Sequence, residues 1–246
     1  MALQDAVSFL TILPVSGPMI RSSPPKRMCR ALAWFPLVGA FIGSAGAGFT
    51  LLCLTRWQPP VAAALGLTAM ILLTGGLHLD GFADTLDGLG AWKGREETLS
   101  IMRDSRIGVM AAAGLFLLLS LKWALIQSIP TDRLLPGLMA ACSLSRLSMA
   151  LSAQIFPYVP GKTGLGRLAT EERSAWAIAF AGILGVAIGI LCLGFSKGTV
   201  SVAAAAGVTG MLNRLFLARM GGITGDTLGA VNEMVEVSLL LVVATA

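Results

Sequence analysis

The sequence predicts an all-α fold: a polytopic transmembrane helical bundle of about seven spans, with the N-terminus on the cytoplasmic side. Of the 246 residues, 55% are hydrophobic and 13% are charged, whereas a soluble domain usually carries about 25% charged residues. The mean hydropathy is +0.80. Apolar stretches of about 20 residues, the length that crosses a hydrocarbon core, recur along the whole chain. Lipid is the simplest environment for so much apolar surface.

The predicted elements are a short N-terminal helix and a series of apolar membrane spans. Residues 1–13 include Asp5 and lack both a basic segment and a small-residue cleavage site. We interpret them as a short interfacial helix closed by Pro14, and not as a removed signal peptide. Glycine-rich segments can break or re-enter the membrane, which leaves counts of six or eight spans open. The predicted spans lie near residues 31–54, 60–79, 107–129, 134–155, 175–195, 199–219 and 225–245. The polar stretches between them are short enough to be loops, so we predict one integral-membrane domain over residues 1–246.

Basic residues concentrate in alternate connections. With the N-terminus inside, the inner segments hold most of the arginines and lysines, and the outer loops hold Arg56, Arg133 and Lys197. This is the positive-inside pattern, and it leaves no basic stripe for a nucleic acid, so we expect no nucleic-acid partner. The pattern predicts a multi-pass membrane protein, with the longer polar loops 80–106 and 156–174 facing the cytoplasm.

Three aspartates follow one another at helical spacing after the second predicted span. Asp80, Asp84 and Asp87 stand at i, i+4 and i+7, so on a helix they fall within about 60° of one another. Like charges at the end of an apolar span are costly unless something neutralises them. Oxygen ligands without a histidine or cysteine cluster favour Mg²⁺ or Mn²⁺ over zinc. A solvated helix face is the plainer alternative, but the small and apolar residues between the acids favour metal binding. His78 is either a base or a support to this site, or simply a hydrogen-bonded histidine.

A second polar segment precedes the span near 107–129. It contains Arg103, Asp104, Ser105 and Arg106. Arginine presents a planar donor fork that suits phosphate oxygens, and we assign that role to Arg106. Arg103 is either a phosphate ligand or an interfacial anchor, and Asp104 is either a further metal ligand or an ion-pair partner.

A third cluster opens the last span. Thr224 is expected to cap a helix whose free N–H groups point at an anion, and Asp226 follows it. Acids inside the last apolar span suggest function, but their roles stay open, as do those of the basic residues within other spans. The residues left open in this way are Lys122, Arg146, Arg214, Glu233 and Glu236. Clustered acids, a metal and arginines at one membrane face indicate phosphoryl chemistry.

These segments resemble the cobalamin synthase family, the adenosylcobinamide-GDP ribazoletransferases or cobalamin-5′-phosphate synthases. The order and spacing of the motifs agree from one end of the chain to the other. Two positions depart from the family pattern: Ile12 stands where family N-termini read FLTRLPV, and the loop 157–168 matches only around residues 164–166. The matching stretches are LTGGLHLDGFADTLDGLGAW (73–92), IMRDSRIGVM (101–110) and GGITGDTLGAVNEMVE (221–236), with weaker matches at FLTILPV (9–15) and FPLVGAFIG (35–43).

The resemblance implies a reaction. A hydroxyl of α-ribazole, or of α-ribazole 5′-phosphate, attacks the phosphate of adenosylcobinamide-GDP nearest the corrinoid, and GMP leaves in a Mg²⁺-dependent step. Further expected partners are the lipid bilayer, a second copy of the chain and other corrinoid-pathway enzymes. The base is Asp87 or Asp104. The implied sites are catalytic Asp84, Asp87 and Asp104; metal-binding Asp80, Asp84, Asp87 and Asp104; and substrate-binding His78, Arg103, Arg106, Thr224 and Asp226.

Two other functions compete with this interpretation. A CDP-alcohol phosphotransferase of lipid synthesis performs similar chemistry, but its pattern places Arg where Asp84 stands here. A metal-ion or proton-coupled transporter would distribute acids over several membrane depths. Here the acids concentrate at the inner ends of the spans, next to arginines.

Overall fold

The chain is helical almost throughout the part that the structure, a computed structural model, describes: residues 1–15, 25–159 and 165–245. Those ranges contain no strand, only an isolated bridge between Tyr158 and Ile223. The all-α prediction is confirmed. The helices within the described residues are α1 (Ala2–Leu10), α2 (Pro25–Leu32), α3 (Phe35–Leu54), α4 (Pro59–Thr74), α5 (Leu77–Gly90), α6 (Arg95–Ile101), α7 (Val109–Ser128), α8 (Thr131–Ile155), α9 (Leu165–Glu171), α10 (Ala175–Met220) and α11 (Gly225–Ala244).

Helix lengths agree with a polytopic membrane protein. Within the described residues, α3, α7, α8, α10 and α11 are each long and apolar enough to cross a bilayer, and α4 with α5 adds a bent sixth candidate. α10 has 46 residues, about 69 Å if straight, which is twice what a bilayer requires. Gly194 breaks it with φ 77° and ψ 166°. A β-carbon added at Gly198 would lie 2.8 Å from Cα of Ile190, so the chain reverses here, and the two halves of α10 match two of the predicted spans.

The predicted span 60–79 is wrong at its end. α4 ends at Thr74, and α5 begins at Leu77 at an angle of 90° to it. Gly75 and Gly76 between them adopt left-handed φ angles of 63° and 68°, which glycine tolerates and other residues rarely do. The aspartates therefore lie on a separate short helix and not at the end of a straight span.

The N-terminal helix forms as predicted, although its orientation to a membrane stays a prediction. α1 ends at Leu10, before Pro14. Its Asp5 is paired with Arg27 of α2, with an Nη2–Oδ1 distance of 2.5 Å. The Asp5 side chain is almost fully buried in this ion pair. The pair therefore fixes α1 against α2.

α8 and α11 form the centre of the bundle. Buried residues make up 78% of the apolar window of α8 and 72% of that of α11, against 17% for α10. Close approach of α3 to α8 depends on Gly39 and Gly43, where β-carbons would collide with the carbonyl oxygens of Cys142 and Leu138. Small residues four apart are a common means of packing helices in membranes.

A buried group of four charges joins three of these helices. Lys122 of α7 contacts Glu233 and Glu236 of α11, with N–O distances of 2.5 and 2.7 Å, and Arg146 of α8 pairs with Glu236. All four side chains are almost fully buried. The two positive and two negative charges balance. The sequence leaves the roles of these residues open, and the structure shows that they form an internal ion network that connects α7, α8 and α11.

Candidate active site

The acidic face of α5 lines a cavity of about 630 Å³. Asp80, Asp84 and Asp87 all border it, and Ser105 and Arg106 border it from the α6–α7 connection. Asp80 is exposed, and the other two aspartates are half-buried. The structure therefore brings the first and second motifs together around one space, as the spacing along the sequence predicts.

Asp87 connects those two motifs. One carboxylate oxygen accepts the backbone N–H of Gly108 at 2.6 Å, and the other accepts that of Ala111 at 2.8 Å. Gly108 is the N-cap of α7 and has no side chain with which to cap it. A carboxylate is favoured at a helix N-terminus because it accepts the free N–H groups and opposes the helix dipole. Asp87 supplies this cap from α5; its predicted metal-binding and catalytic roles stay predictions.

Asp104 is turned toward Arg106. The Arg106 guanidinium donates to both carboxylate oxygens, at 2.5 Å from Nη2 and 3.0 Å from Nε, and the Arg106 backbone N–H donates at 3.1 Å. These hydrogen bonds lower the pKa of Asp104 to about 2 and raise the pKa of Arg106. Asp104 is thus an ion-pair partner of Arg106, and its predicted metal-binding and catalytic roles stay predictions. Arg106 borders the cavity, whereas Asp104 and Arg103 are not among the described residues that line it.

The third motif lies against the other side of α5. Thr224 caps α11 by accepting the Thr227 N–H at 3.2 Å, and the Thr227 hydroxyl accepts the Thr224 N–H at 2.8 Å, so the predicted cap is confirmed. A β-carbon added at Gly81 would lie 2.9 Å from Cα of Asp226. Thr224 is buried, its hydroxyl donates to Asp226 at 3.3 Å, and neither residue is among the described residues that border the cavity.

His78 is buried between α5 and α11. It is 3% exposed, and its Nε2 atom has no hydrogen-bond partner within the described residues. A β-carbon added at Gly229 would lie 2.9 Å from the His78 carbonyl oxygen, so the two helices touch at this point. The structure thus places His78 in the packing behind the cavity, away from its surface.

The predicted four-aspartate metal site stays a prediction. In the described part of the chain, no three histidine, cysteine, aspartate or glutamate side chains lie close enough together to hold a metal. The reason is geometric: Asp104 faces Arg106, and Asp87 faces the α7 amides. Mg²⁺ sites commonly use one or two carboxylates, with water and substrate phosphates completing the shell. Asp80 and Asp84, one turn apart on the cavity face, fit this smaller requirement.

Sequence reasoning missed the contribution of the N-terminal segment. Phe9 and Ile12 border the cavity together with Thr74, Gly75 and Gly76 at the α4–α5 bend. The backbone N–H of Ile12 donates to the Leu73 carbonyl at 2.9 Å, which holds the segment beside the bend. The departure at Ile12 from the family pattern was the available signal, because it falls on the cavity wall.

Comparison with known proteins identifies similar chains of full length. A family model described as Cobalamin-5-phosphate synthase matches residues 2–244. An adenosylcobinamide-GDP ribazoletransferase of Pseudomonas syringae pv. syringae is 38% identical, over 97% of this chain and 97% of its own length. Proteins with the same description from Chlorobium phaeobacteroides and Desulforamulus reducens are 35% and 33% identical, over 96% and 98% of this chain and 94% and 95% of their own lengths. No solved structure matches the chain.

Proposed function

The chain belongs to the cobalamin-5-phosphate synthase family, and from this premise we propose that it joins adenosylcobinamide-GDP to α-ribazole, or to α-ribazole 5′-phosphate, with release of GMP. The observation that carries the proposal is a match over residues 2–244 in a chain whose acidic helix and Arg106 border one cavity. The same match argues against the CDP-alcohol phosphotransferase and the transporter.

Asp80 and Asp84 would hold a Mg²⁺ ion, or Mn²⁺, at the cavity. When bound, the ion would offset charge on the diphosphate and favour attack at phosphorus. Arg106 supplies a second positive charge, and Asp104 holds its guanidinium in a fixed orientation by accepting from Nε and Nη2. A fixed donor fork lowers the entropy lost when phosphate binds.

We assign the general base to Asp87 and not to Asp104. The pKa of Asp104 is lowered to about 2, so this carboxylate is a weak proton acceptor near neutral pH. Asp87 borders the cavity, and each of its oxygens has lone pairs beyond the one that accepts an amide N–H. A hydroxyl of α-ribazole entering the cavity would meet Asp87 beside the diphosphate.

The cavity is sized for the reacting groups only. A volume of about 630 Å³ lies in the range of pockets that enclose a drug-sized ligand, and a corrinoid with its nucleotide is larger than such a ligand. We therefore propose that the diphosphate and the attacking hydroxyl enter the cavity while the corrinoid ring stays at its mouth.

We place the cavity at the cytoplasmic side of the bacterial inner membrane. The support is the positive-inside pattern: the connection between α5 and α7 carries Lys93, Arg95, Arg103 and Arg106, and connections rich in basic residues usually face the cytoplasm. A homo-oligomer and association with other corrinoid-pathway enzymes stay predictions from the sequence.

The proposal is tested with full-length protein purified in detergent. The protein is incubated with adenosylcobinamide-GDP and α-ribazole, and GMP and the corrinoid product are measured with Mg²⁺, with Mn²⁺ and with excess chelator. We expect GMP release that requires both substrates and the divalent ion. If correctly folded protein formed no product with both substrates, the proposed function would be refuted. Full turnover in the presence of chelator would refute only the metal requirement.

A further inference from the structure

Trp92 stands out by its backbone and its exposure. It is the one non-glycine residue with a left-handed backbone among those the structure describes, with φ 53°. A bulky residue rarely adopts this conformation, which costs of the order of a few RT and tends to persist where it serves a function. The side chain is nevertheless 80% exposed, so packing of the indole ring does not account for the strain.

Two arginines accompany the exposed ring. The Arg219 guanidinium lies over the indole, with its central carbon 5.1 Å from the ring centroid. The Arg95 guanidinium covers Gly221 at the end of α10, where an added β-carbon would lie 3.1 Å from Nη1. Within the described ranges neither arginine forms an ion pair. We call Trp92, Arg95 and Arg219 the Trp92 patch.

The Trp92 patch is connected to the cavity through α5, although none of its three residues is among the described residues that line the cavity. Trp92 follows the C-terminal end of α5, whose Asp84 and Asp87 border the cavity. Gly90 contacts Met110 in the first turn of α7, next to the loop that carries Arg106. Gly90, the last residue of α5, lies six positions after Asp84, about 9 Å along the helix, and Trp92 follows two residues later. That separation matches the reach of a nucleotide from its phosphates to its base.

The chemistry of the patch fits a heteroaromatic base that carries phosphate. Indole stacks well on flat heteroaromatic rings, and unpaired guanidinium groups bind phosphate oxygens. Free α-ribazole has an aromatic base but no phosphate for the two arginines. α-Ribazole 5′-phosphate has both features, but it is only one of the two possible acceptors. The nucleotide portion of the activated substrate has both features with either acceptor.

We propose that Trp92 stacks on the guanine of adenosylcobinamide-GDP, with Arg95 and Arg219 beside the phosphate that leaves with GMP. This inference rests on the proposed function and specifies where its nucleotide binds. The stack holds the GMP portion at the rim, with the phosphate nearest the corrinoid directed toward Asp84 and Arg106.

The test uses two substitutions at Trp92 and one control. Trp92→Gly removes the ring and suits the left-handed backbone, so it is expected to fold at least as well as the parent. Trp92→Phe keeps an aromatic ring. Trp57→Phe is the control and alters a half-exposed tryptophan in the α3–α4 connection, at the opposite end of the bundle. Intrinsic fluorescence is titrated with GMP, GDP and α-ribazole, and the KM of each substrate is measured.

We expect GMP and GDP to quench the parent and Trp57→Phe, and to quench Trp92→Gly much less. The KM for adenosylcobinamide-GDP should rise about tenfold in Trp92→Gly, as for the loss of one base–aromatic stack, and should largely recover in Trp92→Phe. The KM for α-ribazole should not change.

Three results would overturn the inference: an unchanged KM for adenosylcobinamide-GDP in Trp92→Gly, quenching of Trp92 by α-ribazole but not by GMP, or a loss of membrane insertion as the only effect. The last would identify Trp92 as an interfacial anchor. The parent protein separates this inference from the proposed function: quenching by GMP without GMP release would refute the function and keep the nucleotide site.

Discussion

The Asp87 carboxylate on α5 accepts the backbone N–H of Gly108 at the start of α7, with oxygen and nitrogen 2.6 Å apart. Its other oxygen accepts the N–H of Ala111. Asp87 and Gly108 are 21 positions apart, and the hydrogen bond between them holds the Arg106 loop against the acidic face of α5. The geometry of the cavity therefore depends on a cap supplied from another helix.

Asp87→Ala should loosen the first turn of α7. Loss of a helix cap costs about 0.5–2 kcal/mol, and two amides lose their acceptor here. Hydrogen exchange should show faster exchange at Gly108 and Ala111 and unchanged exchange in the middle of α8. Asp87→Asn keeps one acceptor oxygen, so its exchange rates at Gly108 and Ala111 should lie between those of the parent and those of Asp87→Ala. Equal protection in all three proteins would mean that the α7 terminus is held by other contacts.

Asp84→Asn should reduce turnover by at least about a hundredfold, because a neutral amide binds Mg²⁺ poorly and leaves the diphosphate charge uncompensated. Membrane insertion and elution in detergent should not change. Asp132→Asn is a matched control: Asp132 is exposed in the first turn of α8, at the other end of the bundle. Retained turnover in Asp84→Asn would refute the proposed metal site. An equal loss of turnover in Asp132→Asn would show that the effect is not specific to the cavity.

Hydropathy predicts the fold class and most of the spans because burial in lipid requires long apolar stretches. It fails at Gly75 and Gly76, which count as weakly apolar residues yet end α4 and turn the chain by 90°. Spacing also placed Asp80, Asp84 and Asp87 on one face correctly, since the three share a helix. It could not predict that Asp87 would cap α7, because that depends on how two helices pack.

The charged residues within the spans illustrate the same limit. Sequence identifies Lys122 and Glu233 as unusual for a membrane, but they are 111 positions apart. Only the packing of α7 on α11 reveals that they are partners. Likewise, Asp104 beside Arg106 permitted either a metal ligand or an ion pair, and only the structure shows that the turn at Arg106 forms the ion pair.

Arg106→Ala should raise the KM for adenosylcobinamide-GDP by about tenfold or more, because a charge-assisted contact to phosphate is lost. Arg106→Lys should recover only part of the affinity, since lysine has no donor fork. The KM for α-ribazole serves as the internal control. Unchanged kinetic constants in Arg106→Ala would refute the phosphate role.

The Asp104–Arg106 pair predicts a specific pH dependence. The pKa of Asp104 is lowered from 3.8 to about 2 in the folded protein, so the stabilisation of the loop is complete above the unfolded value and is lost as the pH falls toward 2. Between about pH 5 and 8, titration of Asp104 should not contribute to the activity profile. An acidic limb in this range that disappears in Asp104→Asn would show that the pair is not formed during turnover.

Lys122→Met should destabilise the protein by about 3–5 kcal/mol, because it leaves two buried glutamates with one cation. The double variant Lys122→Met/Glu233→Gln restores charge balance, with Arg146 still paired to Glu236, and should recover much of the loss. Thermal unfolding in detergent measures both. Lys93→Met, which removes an exposed pair with Glu97, should change little. If the double variant were no more stable than Lys122→Met, charge balance would not be what the network provides.

Ile12→Arg should tighten binding of the activated substrate. Ile12 is 65% exposed on the cavity wall, where the family pattern has arginine, and its backbone is held by Leu73. An added guanidinium would share the cavity with Arg106 and attract the diphosphate, so we expect the KM for adenosylcobinamide-GDP to fall about two- to fivefold. The gain should shrink at high salt, because the new charge is exposed. Ile12→Gln has a polar side chain without charge and should leave KM unchanged. A higher KM for adenosylcobinamide-GDP in Ile12→Arg would instead mean that residue 12 contacts an apolar part of the substrate. The Ile12 side chain would then pack against the corrinoid at the mouth of the cavity.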